Sequence, residues 1–221
     1  MKKRLKHSGD TANVVRIDSL NPNPNDLRMA AAALEQNGVL VFPTSGLYGL
    51  GADALSAEAV GRVFAIKRRP AHKPLLVLLS GMHDMAKVVP AVPAYAELLL
   101  GLWPGGITFI FKAGDWVPAV LTGGTGTIGV RMPAHPVARA LVEQFGSPIT
   151  GTSANLTGFS PTASVMDLDP EIQRQVDMVL DAGNLAGGTG STILDVTGWP
   201  VKVVRDGAVS RQAIDDILRN G

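Results

Sequence analysis

The chain of 221 residues contains no cysteine, and this absence excludes disulfide bonds, thiolate metal sites and a cysteine nucleophile. A composition without cysteine suits a protein that works in a reducing compartment. The sequence also lacks any apolar run near the ~20 residues that a membrane-spanning helix needs. Its start, MKKRLKH, is basic like that of a signal peptide, but polar residues follow where the apolar segment should be. We therefore expect a cytoplasmic protein.

The net charge outside the N-terminus is slightly negative. Of the formal net charge of +1, four positive charges lie in residues 1–7, so the remaining chain carries a net charge of −3. This balance excludes a protein that binds nucleic acid over its whole surface. A polyanion would have to meet a local patch, either this N-terminal segment or residues 62–73. We expect residues 1–12 to form a basic flexible tail and residues 13–221 a single domain.

Apolar patterns predict strands that alternate with helices. Hydrophobic residues make up 46% of the chain, which is the composition of a folded core and not of a disordered segment. Continuous or β-branched apolar runs predict strands at residues 14–17, 39–42, 75–79, 107–111, 128–132, 176–180, 191–196 and 201–205. Because several of these follow one another directly near the C-terminus, we predict an α/β (α+β) fold with a twisted mixed sheet and flanking helices.

Capping residues and apolar spacing predict the helices. Asn25 or Asp26 caps the first of them, Ser56 the second and Ser210 the last. Further helical patterns cover residues 82–88, 93–102 and 137–145.

The pattern of residues 43–73 predicts the end of a strand, a glycine-rich turn, a short helix and a basic loop. Between Glu58 and the next acid, Asp84, the chain carries five cations: Arg62, Lys67, Arg68, Arg69 and Lys73. So many uncompensated positive charges predict a negatively charged ligand. Lys67 and Arg69 can converge on one anion if the loop is not helical, whereas on a helix they would form a solvated charged face.

Two familiar motifs are incomplete. Residues 49–54, GLGADA, lie between a strand and a helix as in dinucleotide-binding folds, but no acid follows about 20 residues later to hold a ribose. Residues 151–155, GTSAN, match a hydrolase nucleophile elbow until asparagine replaces the last glycine. Neither motif predicts its usual function here.

Two arginines and several hydroxyl residues remain as candidates. Arg131 and Arg205 each end an apolar strand, where an arginine either lines a site or makes a simple ion pair. Ser153, Asn155 and Ser191 lie in predicted turns, where such side chains commonly cap the backbone.

In chain order these features read PT-xx-xYGLG-A-D, a helix, K-x-R-P, a strand, WPGG-x-T, T-x-G-V-R-x-P, S-x-N-x-[ST]-G, STI-x-D and V-x-R-x-G. This order closely resembles the YrdC/TsaC family from about residue 17 to residue 210. Members of that family are threonylcarbamoyl-AMP synthases. The resemblance implies a YrdC-like sheet with a concave basic pocket, in the single-domain form that lacks the extra C-terminal domain of larger relatives.

The resemblance also implies a reaction and its partners. The family condenses L-threonine, bicarbonate and ATP and releases pyrophosphate. A threonylcarbamoyl transferase complex takes the product for threonylcarbamoyladenosine modification of tRNA, and direct contact with tRNA stays open. Mg²⁺ would accompany the ATP, held by phosphate oxygens and water and not by protein ligands.

Motif matching assigns roles to two sets of residues. Lys67 and Arg69 would be catalytic by holding the triphosphate. The ATP side would also include Lys73, Thr127, Ser153, Asn155 and Arg205. The threonine side would consist of Thr44, Tyr48 and Ser191, with Arg131 pairing with the threonine carboxylate.

The chain departs from the family pattern at several positions. Gly46 stands where many relatives have threonine, so a hydroxyl near the substrate is missing. Arg68 replaces the usual glycine of K-G-R-P, and Leu78 occupies a place where histidine is common. Gly151 and Thr152 precede S-x-N where alanine and proline are frequent.

Two other functions stay open. One is a non-catalytic module that uses the same pocket to bind RNA in ribosome or tRNA maturation. The other is carbamoyl transfer to an acceptor other than threonine. Residues 156–170, a polar segment directly after S-x-N, are a candidate lid over the site.

Overall fold

The structure, a computed structural model, describes residues 12–220, with the side chain of Asn220 excepted. The expected basic tail therefore lies outside the described residues apart from Ala12. Within that range the chain forms ten strands: β1 (Asn13–Arg16), β2 (Leu40–Pro43), β3 (Tyr48–Gly51), β4 (Leu76–Leu78), β5 (Ile107–Lys112), β6 (Thr127–Arg131), β7 (Ile149–Ser153), β8 (Met178–Asp181), β9 (Thr192–Asp195) and β10 (Lys202–Arg205).

The same range contains seven α-helices: α1 (Pro24–Glu35), α2 (Ala57–Lys67), α3 (Ala94–Glu97), α4 (Ala119–Thr122), α5 (Pro136–Phe145), α6 (Pro170–Gln175) and α7 (Arg211–Asn220). Three short 3-10 helices cover Met82–Lys87, Leu98–Leu102 and Val165–Asp167. Across residues 12–220, none of the helices has the length and apolar character needed to cross a bilayer.

The predicted caps are confirmed for two helices and wrong for α1. The Oγ of Ser56 accepts a hydrogen bond from the Ala59 amide at the start of α2, and Ser210 does the same for α7. At α1 the cap is Asn23, whose side chain accepts from the Asn25 amide. Pro24 then occupies the first turn, where its fixed φ and missing N–H cost nothing, so the helix begins earlier than predicted.

All ten strands form one sheet in the order β1-β8-β2-β3-β7-β4-β6-β5-β9-β10. The pairs β1–β8, β2–β8, β4–β6 and β5–β9 are parallel, and the other neighbours run antiparallel. The predicted mixed sheet is therefore confirmed.

Two predicted turns are in fact strands. The sequence YGLG forms β3, which is fully buried and runs antiparallel to β2, and GTS belongs to β7. Their glycines allow close packing and do not mark turns. A Cβ on Gly51 would lie 2.6 Å from the Phe42 ring, and a Cβ on Gly151 would lie 2.8 Å from Leu76 and Leu78.

Helices cover part of each sheet face and leave another part open. On one face α1 and α5 pack over β2 and β8, burying Leu34, Phe42 and Leu141 together. On the other face α2 packs over a larger core, which reaches Phe109 and Phe111 of β5. Because side chains alternate along a strand, Thr108 and Ile110 of β5 face the opposite way, into a cavity.

Candidate active site

A cavity of about 570 Å³ lies on the open face of β4, β5, β6, β7 and β9. Eight of the predicted site residues line it: Thr44, Tyr48, Arg69, Thr127, Arg131, Ser153, Ser191 and Arg205. Lys67, Lys73 and Asn155 are not among the lining residues. The structure thus brings residues from six separate parts of the sequence together around one space.

Lys67 is the last residue of α2 and lies behind the cavity wall, with only 2% of its surface exposed. Its Nζ donates to the backbone carbonyl oxygens of Ser153 and Asn155, the latter across 2.7 Å. Burial, and then the charge of Arg69, lowers the pKa of Lys67 to about 8. Lys67 therefore fixes the S-x-N segment from beneath.

Arg69 reaches the cavity because the chain leaves the helix immediately before it. Arg68 caps α2 in the left-handed conformation with φ 49°. Arg69 then donates from Nε to the carbonyl oxygen of Lys73 (3.0 Å) and from Nη2 to that of Pro74 (2.8 Å). These bonds hold the guanidinium at the cavity edge, and burial lowers its pKa.

The expectation that no carboxylate pairs with the basic stretch is wrong for two of its five cations. Arg62 lies 2.9 Å from Asp177, and Arg68 lies 2.8 Å from Glu171. Both acids come more than one hundred residues later in the sequence, so the local charge pattern could not reveal them. Arg69, in contrast, makes its hydrogen bonds to carbonyl oxygens and faces the cavity.

Arg131 and Arg205 lie at the ends of β6 and β10 and face the same space. Arg131 donates from Nε to the Gly105 carbonyl (2.9 Å) and from Nη2 to the Ser45 hydroxyl (2.8 Å). Arg205 donates from Nη2 to the Ser191 carbonyl (2.6 Å). Burial, and then the nearby Arg205, lowers the pKa of Arg131. Among the described residues, neither arginine forms an ion pair with a carboxylate, so the simple ion-pair interpretation does not hold for them there.

Tyr48 is one of the lining residues, and its hydroxyl bonds to the chain that follows β8. The ring is fully buried. The hydroxyl donates to the Gly183 carbonyl (2.7 Å) and accepts from the Ala182 amide (3.0 Å). Burial raises the pKa of Tyr48 to about 12. The phenol thus ties β3 to the chain that follows β8.

Asn155 is also held by the backbone. Its Nδ2 donates to the carbonyl oxygens of Leu156 (2.8 Å) and Phe159 (2.7 Å), which shapes the start of residues 156–170. Its Oδ1 is buried and, among the described residues, has no hydrogen-bond donor. Within residues 156–170, Pro161 lines the cavity.

Sequence reasoning missed several parts of the wall. The buried hydroxyl of Thr108 in β5 faces the cavity and lies 2.8 Å from the hydroxyl of the predicted Ser191, which directly precedes β9. A threonine inside the apolar run ITFIF was the available signal, since a buried hydroxyl needs a polar partner. Residues 188–190 form another wall, which no local pattern indicated.

The cavity has a positive character. In the part of the chain that the structure describes, three guanidinium groups line it against one carboxylate, that of Asp206, which already pairs with Arg211 at 2.8 Å. The remaining polar lining is made of hydroxyls and backbone. Guanidinium forks and hydroxyl donors suit carboxylates and phosphates, so the site can bind and align anions.

The described residues contain no cluster of three or more histidine, aspartate or glutamate side chains that could hold a metal ion. A cation in this cavity would therefore take most of its ligands from a bound anion and from water, as Mg²⁺ commonly does with phosphates. The donor set fits a metal that arrives with its ligand.

Comparison with known proteins gives a consistent result. The family model Sua5_yciO_yrdC, described as Telomere recombination, matches residues 32–207. Threonylcarbamoyl-AMP synthase of Pyrococcus abyssi is 34% identical over 193 residues, which are 87% of this chain and 57% of the relative. The protein of the same name from Xanthomonas campestris is 36% identical over 86% of this chain and 99% of the relative.

Two solved structures have the same fold as this chain. The structure of P. abyssi Sua5 complexed with L-threonine superimposes with a TM-score of 0.88 at 32% identity, covering 92% of this chain and 60% of that one. E. coli YciO gives a TM-score of 0.83 at 26% identity, covering 91% and 98%. The chain thus spans less than two thirds of some relatives and nearly all of others. The predicted fold is confirmed.

Proposed function

The chain belongs to the Sua5/YciO/YrdC family, and we propose that it is an L-threonylcarbamoyladenylate synthase that uses ATP, L-threonine and bicarbonate and releases pyrophosphate. One observation carries this proposal beyond the family names. Arg69, Arg131 and Arg205 line a single cavity whose one carboxylate is already paired. A site for a triphosphate and an amino-acid carboxylate together needs several cations of this kind.

The chemistry fits a cavity without a protein nucleophile. The amino group of threonine and bicarbonate condense to a carbamate with loss of water, and a carbamate oxygen attacks the α-phosphorus of ATP. The bond from that phosphorus to the oxygen that bridges the α- and β-phosphates breaks, and pyrophosphate leaves with the electron pair. Such a displacement needs alignment and neutralisation of charge on phosphate oxygens, which fixed arginine and hydroxyl donors supply.

We assign the nucleotide end to Arg69, Thr127, Ser153 and Arg205. Lys67 acts on this end through the Ser153 carbonyl, and Asn155 through the fold of the segment after it. Lys73 lies outside the lining, so its part is limited to long-range charge. Lys67 and Arg69 remain the residues whose loss should affect catalysis most.

We assign the amino-acid end to Arg131, Ser191 and the turn that begins at Thr44. Arg131 is anchored on Ser45 of that turn, and Ser191 is anchored on Thr108. Arg131 already donates one hydrogen bond to the Gly105 carbonyl and one to the Ser45 hydroxyl. Its remaining N–H groups would pair with the threonine carboxylate. Tyr48 supports this end from behind.

Mg²⁺ would reach the site with the triphosphate, bound by phosphate oxygens and water, and would neutralise charge on the leaving pyrophosphate. Asp206, the one carboxylate that lines the cavity among residues 12–220, fits this arrangement because it forms no protein cage that would compete with the nucleotide for the metal.

We further propose that residues 13–221 act as one domain in the cytoplasm, which the continuous ten-stranded sheet and the absence of cysteine support. The product would pass to a threonylcarbamoyl transferase complex for threonylcarbamoyladenosine modification of tRNA. Contact with tRNA itself would rely on exposed cations and not on the cavity.

Pyrophosphate release by the purified protein tests the proposal. Release should require ATP, threonine and bicarbonate together, and mass spectrometry should find threonylcarbamoyl-AMP in equal amount. Release that does not depend on threonine would contradict the proposal, and other amines in its place would reveal a different acceptor. Tight RNA binding without release, weakening steeply with salt, would favour the non-catalytic module instead.

A further inference from the structure

Gly46 and Gly187 touch backbone to backbone at the edge of the cavity. The Gly187 amide donates to the Gly46 carbonyl across 2.9 Å. A Cβ built on Gly46 would lie 1.9 Å from the Gly187 carbonyl oxygen, which no real side chain can tolerate. Gly46 does not have a positive φ, so only space, and not backbone conformation, demands glycine here.

Gly187 belongs to residues 183–190, which we call the strap. It joins β8 to β9 and includes Gly183, Gly187, Gly188 and Gly190. The first three of these glycines have a positive φ, which other residues rarely adopt. The strap therefore has a conformation that depends on its glycines and on its anchors.

The anchors of the strap are hydrogen bonds along its length. The Tyr48 hydroxyl holds the Gly183 carbonyl, and the Leu185 amide donates to the Ala163 carbonyl across 2.8 Å. At the far end the Ala208 amide donates to the Gly190 carbonyl across 3.1 Å. The contact with Gly46 lies between these anchors and directly precedes residues 188–190, which form cavity wall.

The other side of that contact is the turn that positions Arg131. Ser45, next to Gly46, accepts a hydrogen bond from Arg131, while Thr44 and Leu47 on either side line the cavity. The Gly46–Gly187 contact thus fixes the distance between the strap and the end of the cavity that holds Arg131.

We propose that Gly46 is a specificity-determining residue: its contact with Gly187 sets the width of the amino-acid end of the cavity and so limits which amino acid fits beside Arg131. This inference rests on the proposed function for the identity of the substrate. In this chain the strap backbone occupies the space that a side chain at position 46 would need.

Gly46→Ala tests the contact because it adds one methyl group and nothing else. Gly61→Ala is the matched control, since its Cβ would meet nothing within 4 Å and it lies within α2. We expect Gly46→Ala to raise the KM for threonine about tenfold or more, as one misplaced methyl does in a fitted pocket, while the KM for ATP stays within about twofold. Larger amino acids should gain relative to threonine.

Two further measurements separate a local effect from general damage. Hydrogen exchange of the ligand-free protein should show faster exchange at residues 187–190 in Gly46→Ala and not in Gly61→Ala. Inserting one glycine between Gly187 and Gly188 in the Gly46→Ala background gives the strap room to move and should lower the KM for threonine again.

Unchanged KM values and unchanged exchange in Gly46→Ala would overturn the inference, as would an equal rise of both KM values. A wild-type protein that releases no threonine-dependent pyrophosphate would instead overturn the proposed function, and the specificity role with it. In that case faster exchange at residues 187–190 in the variant would still show that the Gly46–Gly187 contact holds the strap in place.

Discussion

The ammonium nitrogen of Lys67 lies 2.7 Å from the backbone carbonyl oxygen of Asn155, so the last residue of α2 supports the chain directly after β7. Arg69, two residues further on, faces the cavity that Ser153 at the end of β7 lines. One end of a helix thus supplies a buried cation behind the wall and a second cation in front of it. The two should respond differently to substitution.

Replacing Lys67 with methionine should destabilise the protein. The carbonyl oxygens of Ser153 and Asn155 lose their buried donor, and leaving such acceptors unpaired costs about 1–3 kcal/mol each. Urea denaturation should show a free energy of unfolding lower by about 2 kcal/mol or more. Arg68→Met is the control, because it removes an exposed ion pair worth about 1 kcal/mol or less. Equal stability of the two variants would contradict the structural role of Lys67.

The stability of the wild type should rise with pH above about 8. Burial lowers the pKa of Lys67 to about 8 in the folded protein, while the unfolded chain keeps the ordinary value of 10.5. Between these values the unfolded state binds one more proton, so raising the pH favours folding by about 1.4 kcal/mol per pH unit at most. Lys67→Met should lack this slope.

This pH series is best read below pH 10. Burial raises the pKa of Tyr48 to about 12, so above pH 10 the unfolded state ionises first and stability falls. Urea midpoints at pH 7, 8, 9 and 10, compared between the wild type and Lys67→Met, isolate the lysine. Parallel curves for the two proteins would show that Lys67 does not titrate in this range.

Arg69→Ala should lower kcat/KM at least ~100-fold if its guanidinium stabilises charge on the transferring phosphate. Lys73→Ala should change it by no more than about threefold, since Lys73 carries the same charge nearby but does not line the cavity. Steady-state pyrophosphate release at saturating threonine provides the comparison. A loss of similar size in both variants would mean that net charge, and not the position of Arg69, governs the reaction.

Gly207→Ala should disturb the nucleotide end of the cavity. A Cβ at this position would lie 2.4 Å from backbone atoms of residues 190–192, so the Ser191 carbonyl that holds Arg205 of the nucleotide end must shift. Overpacking of this kind costs about 1–3 kcal/mol. The midpoint temperature of thermal denaturation and the affinity for ATP should both fall. Gly198→Ala, whose Cβ would meet nothing within 4 Å, should leave both unchanged.

Tyr48→Phe should lower stability more than it alters substrate binding. The change removes the hydroxyl that pairs with the Gly183 carbonyl and the Ala182 amide, at a cost of about 1–3 kcal/mol. Exchange near residues 182–183 should become faster, while the KM for threonine stays within about threefold. A large change in threonine binding with normal stability would place the hydroxyl in the site instead.

The sequence predicted the features of the fold and the site that depend on neighbouring residues or on the order of motifs along the chain. Ser56 and Ser210 cap their helices as expected, because a cap is a contact between residues three positions apart. The motif order also predicted that Arg69, Arg131 and Arg205 meet at one site. The partners of Arg62 and Arg68 could not be predicted, since Asp177 and Glu171 come from distant elements.

Glycine was the residue that local reasoning interpreted least well. Gly49, Gly51 and Gly151 predicted turns, but each lies in a strand where a neighbour approaches too closely for a Cβ. Gly46 was recognised as a departure from the family pattern, yet its contact with Gly187 becomes visible only once β3 and the strap are placed. Steric demands from across the fold leave no periodic trace in a sequence.

Because β8 lies between β1 and β2 in the sheet, the ribosome must synthesise β8 before these two strands can be joined. The first two strands emerge early, but the strand that joins them ends at Asp181, so they must wait for nearly 140 further residues to be translated. At about 5–20 residues per second this delay is on the order of ten seconds. During that time β2 exposes an apolar edge. The cavity needs β9 and β10 as well, so it is among the last features of the nascent chain to form.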